Sequence, residues 1–172
     1  MAVVMLSGPV GAGKTTVARE LVKISPGPLC YIEGDALWPV FVKPDAQPVQ
    51  VRFRLLMRSI TAAAIPLARG GYEVLLDFSF PVDFLETARR ILKEIPFDFV
   101  VLRPSLAICE QRAAGRVEGK IADYKMYRDF YGMFQGLPEH EVADDDADPE
   151  SLARRIRTGL DKGVFRVASA SS

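Results

Sequence analysis

The sequence predicts a doubly wound α/β sandwich, a parallel sheet with helices on both faces, and three observations predict it. Short apolar runs recur at residues 2–6, 29–32, 73–76, 97–102 and about 141–143, with helix-like stretches between them. The first four runs are unbroken rather than alternating, the pattern of parallel strands covered on both faces. Between the first run and the first helical stretch stands Gly8-Pro9-Val10-Gly11-Ala12-Gly13-Lys14-Thr15-Thr16. It fits G-x-x-x-x-G-K-S/T in full, a strand-to-helix turn that binds phosphate.

Each element has legible ends. The first helix opens behind Lys14 and stops at Ser25-Pro26-Gly27-Pro28. A long helical region, residues 47–69, ends at Gly70-Gly71, the usual glycine stop. An amphipathic stretch, 82–94, closes before Pro96. Ser105 is placed to cap a helix reaching about Ala114, and Asp148-Pro149 opens a last helix through Leu160 with proline at its first position. Two segments interrupt the alternation. Residues 39–48 carry three prolines and read as an irregular surface loop. Residues 115–136 are polar, aromatic-rich and punctuated by glycine, where a mobile lid is expected.

Composition bounds the function. With 172 residues, 49% of them hydrophobic, the chain can bury one core, and a single domain over 1–172 is expected. Basic and acidic residues balance at 22 each, which argues against a duplex-binding surface; nucleic acid is not an expected partner. The two cysteines, Cys30 and Cys109, lack any C-x-x-C spacing and sit in apolar surroundings, so reduced thiols are expected. No secretory leader is visible ahead of the first strand and no apolar run has the length of a membrane span, so a cytoplasmic location without membrane contact is expected. The sequence leaves the oligomeric state open.

In a phosphate loop of this type, backbone amides and the positive end of the helix dipole face a polyanion. Gly8, Val10, Gly11, Ala12, Gly13, Lys14, Thr15 and Thr16 are the expected nucleotide-binding residues, with ATP and Mg²⁺ as cofactors. Lys14 would reach the β- and γ-phosphates, and Thr15 would offer its hydroxyl to Mg²⁺. Ligands in such sheets sit beyond the carboxyl ends of the strands, so residues just after each run matter most. Glu33-Gly34-Asp35 follows the second, and a carboxylate there can accept the proton of an attacking alcohol, Asp35 being the stronger candidate. Asp77 ends the third run, the position from which an acid holds Mg²⁺ through water or meets substrate. Arg112 and Arg116 are four apart on a helix and share a face. They suggest a base to stack on and a phosphate to meet, although Glu110 and Glu118 allow a solvated salt-bridged face. Trp38 lies in the loop beside Asp35 and is expected to touch substrate, as is Arg54 on the long second helix.

These residues resemble the phosphate-loop kinases of small molecules: gluconate kinase, shikimate kinase, adenylylsulfate kinase and chloramphenicol phosphotransferase. The resemblance spans Val3 to about Ile156. It implies a three-layer α/β/α phosphate-loop NTPase fold with a five-stranded parallel sheet in the order 2-3-1-4-5 and a helical lid. It implies that Asp35 contacts the acceptor or acts as base, that Arg112 stacks on adenine, and that Arg116 meets the phosphates as a catalytic residue beside Lys14. The loop 143–150 resembles the segment bordering adenine. Two departures stand out. Glu33 replaces an aspartate common in these kinases, and Asp77-Phe78-Ser79-Phe80-Pro81 lacks the arginine with which nucleoside monophosphate kinases grip an acceptor phosphate.

The expected activity is transfer of the ATP γ-phosphoryl group to a hydroxyl of a small molecule, Asp35 serving as base. A polynucleotide 5′-hydroxyl or nucleotide-sugar kinase shares these parts. A non-catalytic ATP-binding regulatory module is the reading from another class.

Overall fold

The computed structural model describes residues 3–43, 46–115 and 123–168. Five strands form one all-parallel sheet: β1 Val3–Ser7, β2 Leu29–Glu33, β3 Glu73–Asp77, β4 Phe97–Leu102 and β5 Glu141–Val142. Their spatial order is 2-3-1-4-5, as the resemblance implies. Six α-helices lie among the described residues: α1 Lys14–Ile24, α2 Val49–Arg69, α3 Leu85–Leu92, α4 Leu106–Ala114, α5 Lys125–Gly132 and α6 Pro149–Asp161.

The central strands β1, β3 and β4 are buried on both faces, which is why they read as near-continuous apolar runs, with Asp98 the interruption in β4; β2, at the sheet edge, is half-buried. Along β1, Val3 and Met5 face a cluster with Leu56, Ile60 and Ala64 of α2. Val4 and Leu6 face the opposite cluster, with Val17 and Leu21 of α1 and Leu152 and Ile156 of α6. Period-two alternation thus sends neighbouring residues into two separate cores. The helix ends follow the sequence signals. The Ser105 side chain accepts a hydrogen bond from the Ile108 amide, and the Asp148 side chain accepts one from the Ser151 amide. After α2, Gly70 donates back to the Pro66 carbonyl at 2.9 Å and the chain turns into β3.

Three expectations are corrected. The segment 39–48 is not irregular from its start: a 3₁₀ helix runs over Gly34–Val40 with Pro39 inside it, and α2 begins at Val49 rather than at residue 47, with Pro48 at its N-cap. The amphipathic stretch 82–94 divides into a 3₁₀ turn, Val82–Phe84, and the shorter α3. The expected lid is described in part. α5 stands within it, and residues 116–122, including Arg116, lie outside the described residues. Among the described residues no helix is long and apolar enough to cross a membrane.

Candidate active site

β1 ends at Ser7, whose hydroxyl donates to the Phe80 carbonyl at 2.6 Å and ties the strand end to the segment behind β3. The chain then turns through Gly8–Gly13 into α1. Gly11 has φ +84°, and a Cβ there would stand 2.2 Å from the Cys109 carbonyl oxygen, so the loop lies directly on α4 and only glycine fits. Ala12, 3% exposed, anchors the loop in the core, and its amide closes a turn onto the Pro9 carbonyl at 3.2 Å. Lys14 opens α1 with its amine donating to the Gly8 and Pro9 carbonyls, both at 3.0 Å, which holds the buried cation at the mouth of the loop. The amides of the first turn of α1 have no partner within the helix and sit at the positive end of its dipole. Glycine turn, lysine and helix start together make an anion cradle.

Asp77 closes this cradle from β3. Thr15 donates its hydroxyl to Asp77 Oδ2 at 2.7 Å, and Tyr31 of β2 donates to the same oxygen at 3.1 Å. Burial pushes the Asp77 carboxyl above its ordinary range, against the opposing pull of Lys14 and of the two hydrogen bonds. Burial beside this acid likewise pushes the Tyr31 phenol up, so Tyr31 stays a donor. Because the Thr15 proton points at Asp77, the lone pairs of the Thr15 oxygen are left for a cation. Among the described residues no three His, Cys, Asp or Glu side chains cluster to hold a metal by themselves.

Two cavities meet at this point. One, of about 430 Å³, is lined by Gly11, Gly13, Lys14, Thr15, Thr16, Glu33, Asp35 and Arg112. The other, of about 800 Å³, is lined by Val10, Lys14, Asp35, Trp38, Val49, Gln50, Phe53, Ser79, Tyr127, Asp129, Phe130 and Met133. Lys14 and Asp35 are the lining residues common to both. The first is polar and holds the cradle; the second is walled by aromatic rings. Asp35 reaches the junction because β2 ends at Glu33 and Gly34 packs flat on Phe78, where a Cβ would stand 2.5 Å from the ring. That approach sets the direction in which the 3₁₀ helix, and Asp35 with it, leaves the sheet.

The structure sorts the expected residues. Gly11, Gly13, Lys14, Thr15, Thr16 and Arg112 line the polar cavity. Gly8 contributes its carbonyl to Lys14, and Val10 faces the aromatic cavity instead. Arg112 donates to the Asp145 carbonyl at 3.3 Å, joining α4 to the acidic loop before α6. Asp77 meets Thr15 rather than the aromatic cavity. Trp38 lines the aromatic cavity; Arg54 is exposed on α2 and lines neither cavity. Glu33 faces the polar cavity and lies 3.7 Å from Arg19. His140 is buried, with Nδ1 2.8 Å from the Phe99 carbonyl, away from both cavities.

Sequence reasoning missed Gln50, Phe53, Ser79, Asp129 and Phe130. Val49, Gln50 and Phe53 occupy the start of α2, and Tyr127, Phe130 and Met133 recur at spacing three along α5 and its C-cap. That spacing was visible, but which helix face meets which cavity is decided by packing. Tyr124 adds an anchor, donating to the Val10 carbonyl at 2.5 Å and pinning the start of α5 to the phosphate loop.

Known structures share this architecture. A sugar kinase from Janibacter sp. HTCC2649, solved unliganded, superposes with a TM-score of 0.70 at 23% identity over 94% of this chain and 95% of that one. The Mycobacterium tuberculosis APS kinase CysC, in complex with AMPPNP and APS, superposes with a TM-score of 0.70 at 20% identity over 93% and 97%. The Pnkp1/Rnl/Hen1 RNA repair complex contains a chain that superposes with a TM-score of 0.63 at 18% identity over 78% of this chain and 44% of that one. At these identities the likeness is one of fold. No curated protein matches the sequence. The model of the chloramphenicol phosphotransferase-like proteins matches residues 1–160, nearly the whole chain with its phosphate loop, and the chain belongs to that family.

Proposed function

We propose that the protein transfers the γ-phosphoryl group of ATP to a hydroxyl group of a small molecule. The observation that carries this reading is the sharing of Lys14 and Asp35 between a polar phosphate-side cavity and an aromatic acceptor-side cavity. Phosphoryl transfer needs such a junction, because the attacking oxygen and the leaving oxygen lie in line on opposite sides of phosphorus.

The amides of the loop and of the first turn of α1 would bind the β- and γ-phosphates, with Lys14 between them. Arg112, which lines the polar cavity, would cover the base, and Arg116 is assigned to the transferring phosphate by family resemblance. The donor set fits Mg²⁺: Thr15 would ligate with its hydroxyl oxygen, and Asp77 would hold Thr15 and the waters of the ion. A bound Mg²⁺ would neutralise charge on the β- and γ-oxygens. Asp35 orients the acceptor hydroxyl and takes its proton as the oxygen–phosphorus bond forms. The bond from the γ-phosphorus to the bridging oxygen breaks, and ADP leaves. Trp38, Phe53 and Phe130 keep water from the acceptor side, which limits hydrolysis of ATP.

The test is ADP release over a panel of hydroxyl metabolites and phenicol or aminoglycoside compounds. Turnover with at least one acceptor, lost in Asp35→Ala while ATP still binds, is the expected result. Binding of ATP without turnover across the panel would favour a regulatory module, and turnover only with 5′-hydroxyl oligonucleotides would move the acceptor class.

A further inference from the structure

We infer that Tyr124 is a positioning residue of the phosphate cradle: by holding the Val10 carbonyl it turns the next amide, the Gly11 N–H, toward the bound phosphates. This deepens the phosphotransfer reading above and rests on it in taking the polar cavity for the phosphate side.

Residues 9–12 form a β-turn, closed by the Ala12 amide on the Pro9 carbonyl at 3.2 Å. Gly11, third in the turn, has φ +84°, and Val10 before it is not among the residues with positive φ, so the turn is of type II. The dihedral angles of types I and II differ by a flip of the central peptide, here Val10–Gly11. Glycine tolerates either form, so its presence does not choose between them. That peptide is trans, and its carbonyl and N–H therefore point in opposite directions. Whatever grips the carbonyl aims the amide.

Tyr124 has that grip. Its hydroxyl donates to the Val10 carbonyl at 2.5 Å from 114 positions away in the chain. The residue is 6% exposed, with its ring packed against Cys109 and Ala113 of α4 and 5.5 Å from the Tyr127 ring, so the hydroxyl is held in place. The Gly11 N–H points away from it. Among the described residues that N–H donates to no acceptor in the protein, whereas the Ala12 amide is spent on Pro9. Gly11 lines the polar cavity beside Lys14 and Thr15, where an anion is the acceptor such an N–H lacks. Contact of Gly11 with the Cys109 carbonyl fixes where the loop lies, and Tyr124 is left to fix how its central peptide is turned. Tyr124 is also the N-cap residue of α5, so the same hydroxyl ties the acceptor wall to the cradle.

The test is Tyr124→Phe in the full chain, which keeps the ring and removes the donor. Amide signals of Gly11, Thr15 and Thr16 are followed by nitrogen–proton NMR, without nucleotide and at saturating Mg²⁺–AMPPNP, and the Kd is measured by calorimetry. In the wild type all three amide protons should move downfield on binding, as donors to phosphate oxygens do. In Tyr124→Phe the Gly11 shift should fall by at least about half while Thr15 and Thr16 keep theirs, and the Kd should rise at least about fivefold, the scale of one weakened hydrogen bond to a charged group. A merely structural role would move all three amides together. A Gly11 amide unmoved in the wild type, a Gly11 shift kept in the variant, equal losses at all three amides, or a smaller rise in Kd overturns the inference, and the wild-type arm decides even if the variant does not fold. ADP release over the acceptor panel is measured alongside. If it persists in the wild type while the Gly11 signal fails these expectations, the inference fails and the phosphotransfer reading stands; if the wild type binds no nucleotide, both fail.

Discussion

Thr15 and Asp77, 62 positions apart in the chain, are joined by a hydrogen bond of 2.7 Å from the hydroxyl to Oδ2. The bond links the start of the first helix to the end of the third strand, and by taking the hydroxyl proton it leaves the lone pairs of the Thr15 oxygen for a cation. It also leaves a carboxyl, 3% exposed, beside two hydroxyl donors, with a proton affinity raised by burial.

That raised affinity makes stability depend on pH in a definite direction. A carboxyl whose folded pKa lies above its unfolded value, about 3.9, binds more protons folded than unfolded between the two. Its contribution is present below the unfolded pKa and is lost as pH rises through the folded one. Asp77→Asn cannot ionise, so urea denaturation from pH 4 to pH 7 should show the variant gaining on the wild type as pH rises. A difference constant with pH would contradict the burial argument. For the same reason Mg²⁺–nucleotide binding by the wild type should tighten over this range.

Removing the acceptor altogether has a separate cost. Asp77→Ala leaves the Thr15 and Tyr31 hydroxyls without their shared partner. A destabilisation of about 1–3 kcal/mol per stranded group is expected from lost hydrogen bonding, less any replacement by water. Tyr31→Phe in the Asp77→Ala background should recover part of it, read as the shift in denaturation midpoint.

Gly34→Ala tests how Asp35 is aimed. The new Cβ would stand 2.5 Å from the Phe78 ring and 2.8 Å from Ile60 Cδ1. Overpacking of this kind costs about 1–3 kcal/mol. If Gly34 sets the exit direction of the 3₁₀ helix, turnover should fall by more than tenfold while ATP affinity changes little. A loss of stability with unchanged turnover would show that the aim of Asp35 is set elsewhere.

The thiols should separate by reactivity. Cys109 is fully buried against the phosphate loop, and burial pushes its thiol up to about 11, whereas Cys30 is half-buried in β2. With thiolate the reactive form, a thiol reagent at pH 8 should modify Cys30 in the native protein and Cys109 only after unfolding. Native labelling of both at similar rates would contradict the placement of Cys109 beneath Gly11.

Much of the architecture was legible, for an identifiable reason. Strands buried on both faces are apolar wherever no partner meets a polar side chain, so Val3–Leu6 and Phe99–Leu102 announce themselves, while Asp98 is tolerated in β4 through its pairing with Arg166, and the phosphate loop fixes the first turn. The strands nevertheless run one residue beyond the apolar runs, to Ser7, Glu33 and Asp77. The backbone ladder continues past the last apolar side chain, and these final polar residues serve the site: Glu33 lines the polar cavity, Asp77 holds Thr15, and Ser7 ties β1 to Phe80. The acceptor cavity was harder to see. Phe53 and Phe130 look like core residues on their helices, and only the meeting of α2 with α5 turns them into a wall. Arg54 shows the converse: a charged residue on the expected helix whose side chain faces outward.

The central claim is that Asp35 readies an alcohol at the junction of two cavities. It is tested most directly by single-turnover phosphoryl transfer in wild type and Asp35→Ala, with ATP affinity measured in both. The account predicts a loss of about 10²–10⁴ in rate, the usual scale of a general base, with ATP affinity within a few-fold of wild type. A variant that transfers phosphate at the wild-type rate would contradict it.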